Sequence, residues 1–150
     1  MQTIHDPKTR AAFIERINSI DPADTKQWGK MNLQQMLAHN VLWNQWIIGD
    51  GERKYKQEFI GFLFGKFGLK RMIKDERPID RNVPSSSFLL VKEPQHDIET
   101  LKSQWTELVQ AYANYSNPDF IHDFFGKMTL EQIGLLVYKH TDHHLRQFNR

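Results

Sequence analysis

Three histidines fall within five residues near the end of this chain, at His140, His143 and His144. On a helix, His140 and His144 are four residues apart and stand one turn above each other. Imidazole is a common ligand for divalent metals, and two on one helix face can share an ion. Two ligands do not complete a site, so a third must come from another element. His143 lies three residues from His140, a spacing that also works, and it stands as the alternative to His144.

The elements that must position these side chains read as helices. Asp6 and Pro7 form an N-cap followed by proline at the first helical position, and Phe13, Ile14, Ile17 and Ile20 recur at helical spacing. Asp21-Pro22 ends that helix. Asn32 and Gln35 make a capping-box pair ahead of a second helix carrying Leu33, Met36, Leu37, Val41, Trp43, Trp46 and Ile47, with Gly49 as its stop. His39 lies inside it. A polar turn is expected at 50–54. The stretch Glu58 to Lys74 holds four phenylalanines and three glycines and reads as an irregular or short-helical insertion. Pro78, Pro84 and three serines make 75–87 an extended loop, and Phe88 to Val91 has the form of a short strand without a partner. Ile98, Leu101, Trp105, Leu108, Tyr112 and Tyr115 then form a heptad-like stripe. After a connection over 116–128, Thr129 and Gln132 make a second capping box, and Ile133, Leu136 and Val137 share a face with the histidine pair.

The two capped helix starts echo each other. Gly29, Lys30, Met31, Leu33 and Gln35 recur as Gly126, Lys127, Met128, Leu130 and Gln132, five identities in seven positions. Counting about 100° per residue from each cap puts His39 near -20°, His140 near +20° and His144 near +60°. All three project from equivalent faces of equivalent helices. If the faces meet, a three-histidine site with an open coordination position forms. Gln147 stays near the same face and is placed to support a ligand or touch a substrate. Trp28 precedes a helix start and is placed to wall a pocket mouth, whereas Trp43, Trp46 and Trp105 read as core. His5, His96 and His122 lie in loops or beside caps and receive no role.

Bulk properties narrow the class. At 150 residues the chain is one domain, 1–150, long enough to bury a core. The net charge of +2 without a long basic run gives no case for nucleic acid. Cysteine is absent, which excludes disulfides and thiolate ligation and makes a reducing, cytoplasmic location the expectation. The N-terminus has no apolar signal core, and no apolar run reaches spanning length, so membrane insertion is not expected. Lys66, Lys70, Arg71 and Lys74 beside the phenylalanines leave peripheral contact as the lesser alternative to a core, lid or dimer surface.

The segments from Trp28 to His39 and from His140 to Gln147 resemble the DinB/YfiT-like superfamily of metalloenzymes. The closest likeness is to an uncharacterised branch whose last helix reads His-x-x-His-His-x-x-Gln. The resemblance covers nearly the whole chain, though only those two segments are specific. It implies an all-α four-helix bundle of up-down-down-up topology, with the loop or short-helix insertion between helices 2 and 3. It also implies a divalent metal, zinc or nickel, on His39, His140 and His144. Relatives in the superfamily use a low-molecular-weight thiol as cosubstrate, which fits a chain that has no thiol of its own. The expected function is therefore a metal-dependent transferase in which the thiol attacks a small electrophilic substrate. A hydrolase activating water and a non-catalytic metal- or ligand-binding bundle are the alternatives. A homodimer is expected from the apolar insertion and the resemblance.

Overall fold

In a computed structural model, residues 1–50 and 54–150 are described, and most of the turn expected at 50–54 lies outside them. The described residues form five α-helices: α1 Pro7–Asn18, α2 Leu33–Ile48, α3 Phe59–Met72, α4 Ile98–Ala111 and α5 Leu130–Gln147. Two 3-10 turns, Ser87–Leu89 and Tyr112–Asn114, complete the regular structure.

The helix starts follow from their caps. The Asp6 carboxylate accepts from the Lys8 amide, with Pro7 opening α1. Both capping boxes form: Asn32 with Gln35 on α2, and Thr129 with Gln132 on α5. Gly49 ends α2 at φ 93, a left-handed conformation that costs glycine little.

Helix α2 packs along α4, α4 along α1, and α1 against α5. Trp105, Val109 and Tyr112 are fully buried between them, and the Tyr112 hydroxyl donates to Asn44 Oδ1 at 2.9 Å. The stripe on α4 is displaced from its expected line. Val109 is buried, whereas Leu108 and Ile98 only flank the core, because a straight helix drifts from a strict heptad. The N-terminal segment is pinned to α5 by an Ile4 amide bond to the Gly134 carbonyl at 3.2 Å.

One expectation is narrowed and another needs correction. Of the irregular and short-helical readings of 58–74, the helical one holds, at greater length than expected. These residues contain the continuous 14-residue helix α3, whose Gly61 and Gly65 lie directly against the Phe124 backbone. Those glycines allow the helix to approach so closely that a Cβ would not fit. Its outward face exposes Phe59, Phe62, Phe64 and Phe67. Residues 88–91 are not a strand. Ser87–Leu89 is a 3-10 turn that drives Leu89 into the core. Among the described residues there is no β-sheet, and the isolated bridge between His122 and Gly126 is the only β-pairing. No described helix is long and apolar enough to cross a membrane.

Candidate metal centre

His39 projects from the middle of α2 and is completely buried. Its Nδ1 lies 2.9 Å from the Leu89 carbonyl oxygen. A carbonyl only accepts, so Nδ1 carries the proton and Nε2 presents its lone pair inward. The turn Ser87–Leu89, which buries Leu89 alone, thus sets the tautomer of a side chain fifty residues earlier.

His144 is oriented from the opposite side. Its Nδ1 is 3.0 Å from Gln147 Oε1, and Gln147 Nε2 donates to the Trp28 carbonyl at 2.9 Å. The carbonyl of Trp28 assigns the amide its orientation, so Oε1 must face His144. His144 therefore holds its proton on Nδ1 and leaves Nε2 free. Gln147 and His144 are one turn apart on α5, and Gln147 is 3% exposed.

His140 completes the group. Its ring is stacked on Trp43 at 3.8 Å between centroids and 7° between planes. Trp43 is one turn beyond His39 on α2, so the same helix face supplies both the first ligand candidate and the shelf for the second. The Nε2 atoms of His39 and His140 are 3.2 Å apart. Ring centroids separate by 4.8 Å for His39 and His144, and by 4.6 Å for His140 and His144. One nitrogen from each of the three lies within 4.8 Å of the others.

This donor set fits a divalent ion. Two imidazole nitrogens each about 2.0–2.1 Å from a tetrahedral ion lie about 3.3 Å apart, close to the spacing of His39 and His140. The His39 and His144 lone pairs both point inward, and His140 Nε2 can donate only one proton toward them. The buried His140 Nδ1 has no hydrogen-bond partner among the described residues. A cation relieves that crowding of acceptors. Burial, first of all, pushes the three histidines below their ordinary pKa, with mutual repulsion adding to it for His140 and His144. For His39 the Leu89 carbonyl opposes the shift. All three are therefore neutral near pH 7, the form that binds metal.

His143 is not part of this convergence. Its ring lies 5.1 Å from that of His144 but turns toward Trp28, 5.6 Å away. Trp28 also stacks beneath the Arg81 guanidinium at 4.4 Å, and both border a cavity of about 700 Å³. Asp142 faces away from the histidines and pairs with Arg16 and Arg146. No carboxylate joins the three-histidine group among the described residues.

Some contributors escaped the sequence reading. Leu89 acts through its carbonyl, which leaves no mark in residue type. Trp43 did carry a signal, its four-residue offset from His39. His122, given no role, is buried beside Trp46, and its Nδ1 accepts from the Phe124 and Phe125 amides at 3.1 and 3.3 Å. It folds the 120–126 turn and stands apart from the metal centre.

Compared with protein-family models, curated proteins and solved structures, the chain matches none. The geometry alone defines an all-helical protein with a buried three-histidine group able to hold a metal ion.

Proposed function

We propose that His39, His140 and His144 hold a divalent zinc or nickel ion, and that the protein is a metal-dependent transferase joining a low-molecular-weight thiol to a small electrophile. The reading takes residues 1–150 as one DinB-like domain, with α1, α2, α4 and α5 as an up-down-down-up four-helix bundle. One observation carries it. Two buried imidazoles from different helices have inward Nε2 lone pairs fixed by the Leu89 carbonyl and by the Gln147–Trp28 link, and both rings face His140.

When bound, the ion supplies a Lewis-acid position at which a thiol is held as the more nucleophilic thiolate. The chain's own residues do the rest. Leu89 and Gln147 keep the protons of His39 and His144 on Nδ1. Trp43 holds the His140 plane and excludes water from that side. Three neutral ligands leave the ion its full charge, which favours an anionic sulfur in the remaining position.

Hydrolysis is the weaker reading. It needs a base beside the water, and the nearby Asp142 is committed to Arg16 and Arg146. The test is a purification without a histidine tag, metal analysis, and assay of the loaded protein with a panel of thiols and a chlorobimane. Stoichiometric zinc or nickel with thiol-dependent turnover is the expected outcome. Metal without turnover leaves a binding protein and removes the transferase. Absence of metal, with a melting temperature indifferent to added zinc and nickel, removes the site itself.

A further inference from the structure

Beyond the histidine group, the neighbouring cavity has a chemistry of its own. It measures about 700 Å³ and is walled by α1, the connection before α2, the loop at 78–81 and the end of α5. Trp28, Ile79 and Pro78 supply apolar surface, while Arg16, Arg81, Arg146 and Arg150 supply guanidinium groups, that of Arg150 being bound to the Asp24 carboxylate. No Asp or Glu side chain is among the described residues lining it, and the main-chain oxygen of Arg150, also in the wall, takes Arg16 Nη2 at 2.7 Å.

The cations are unevenly matched. Asp142 sits behind the wall and takes Arg16 Nη1 at 2.9 Å and Arg146 Nε at 2.6 Å. That arrangement holds Arg146 by one edge, and its two terminal nitrogens have no partner among the described residues. Arg81 has no carboxylate partner among the described residues, and its guanidinium carbon sits over the Trp28 ring, 4.4 Å from the centroid. A guanidinium stacked on an indole keeps its fork of N–H donors free at the rim. Two underused forks over an aromatic floor form a receptor for planar or tetrahedral oxyanions.

We infer that this cavity binds a small anionic molecule through carboxylate or phosphate groups held by Arg81 and Arg146, with its apolar part against Trp28. The site is distinct from the metal centre. Gln147 joins the Trp28 carbonyl to His144 Nδ1, so the cavity lies on the side of His144 opposite its inward nitrogen. Anion binding here requires no ion on the histidines, and the inference stands whether or not they carry one.

The test uses the full chain, with His39→Ala as a metal-free background. Inorganic phosphate and citrate are titrated at constant ionic strength, with calorimetry and the Trp28 indole N–H resonance as readouts. Saturable binding is expected for at least one probe, and the stronger probe assigns the phosphate or carboxylate preference. Arg81→Gln and Arg146→Gln are each expected to weaken it about tenfold, the loss of one charge-assisted contact. Arg81 is exposed and has no carboxylate partner among the described residues, so its variant is expected to fold normally and serves as the decisive one. Saturable binding that Arg81→Gln leaves unchanged overturns the assignment, as does failure of both probes to shift the Trp28 resonance.

Discussion

The Trp28 carbonyl accepts from Gln147 Nε2 at 2.9 Å, and this one bond decides which nitrogen of His144 is free. With the amide so held, Oε1 takes the His144 Nδ1 proton at 3.0 Å. Gln147→Leu removes both bonds and is expected to weaken metal binding about 10- to 100-fold, the usual cost of losing a partner behind a ligand. Gly29→Ala reaches the same defect by another route. A Cβ there would meet Gln147 Nε2 at 2.5 Å, and the φ of +82 is already strained for any side chain. Competition against a chromophoric chelator measures both variants. Wild-type affinity in Gln147→Leu would show that the tautomer of His144 is not fixed this way.

His39→Ala, His140→Ala and His144→Ala are each expected to abolish the rise in melting temperature on adding zinc. His143→Ala is expected to keep it, because that ring turns to Trp28 rather than inward. An ion at about 100 times its Kd stabilises the folded state by about 2.7 kcal/mol, an effect easily resolved by calorimetry. Retention in His144→Ala with loss in His143→Ala would exchange the two assignments.

The helices and the histidine convergence were legible for a common reason. Caps and periodic apolar residues are local signals, and the repeated start at Gly29 and Gly126 gave both helices the same angular origin. What could not be read depends on contacts distant in sequence. α3 is helical although rich in glycine because Gly61 and Gly65 earn their place against the Phe124 backbone, a partner sixty residues away. The turn at Ser87–Leu89 looked like a strand because Phe88, Leu89 and Val91 suit either structure. Its identity follows from Leu89 entering the core and its carbonyl meeting His39.

The same three histidines predict acid sensitivity of the metal-free protein. Each has a folded pKa below the ordinary 6.5, chiefly through burial. Below pH 6.5 the unfolded chain takes up protons that the folded chain refuses, so stability falls as pH falls. The slope approaches about 1.4 kcal/mol per pH unit for each fully buried histidine, here His39 and His144, until its folded pKa is reached. Above 6.5 the contribution vanishes. Chemical denaturation between pH 7.5 and pH 5 (about the span over which histidine protonates) measures it. His39→Ala and His144→Ala are each expected to flatten the profile. An unchanged profile in both would mean that other groups carry the acid sensitivity.

Helix α3 separates stability from the metal centre. Its glycine edge lies on the Phe124 backbone, and a Cβ at Gly65 would collide with the Phe124 carbonyl oxygen. Backbone cannot turn aside as a side chain can, so Gly65→Ala must lift the helix or bend the 120–126 turn. The expected loss is about 1–3 kcal/mol, typical of overpacking. Phe62, on the opposite face, is 71% exposed, and Phe62→Ser is expected to change stability by less than about 0.5 kcal/mol. α3 supplies none of the three histidines, so zinc affinity is expected to survive both changes. Denaturant unfolding of each variant, run beside the chelator competition, tests the separation. A Gly65→Ala protein that keeps its stability would show that α3 does not rest on Phe124, whereas one that unfolds normally yet loses zinc would tie α3 to the site.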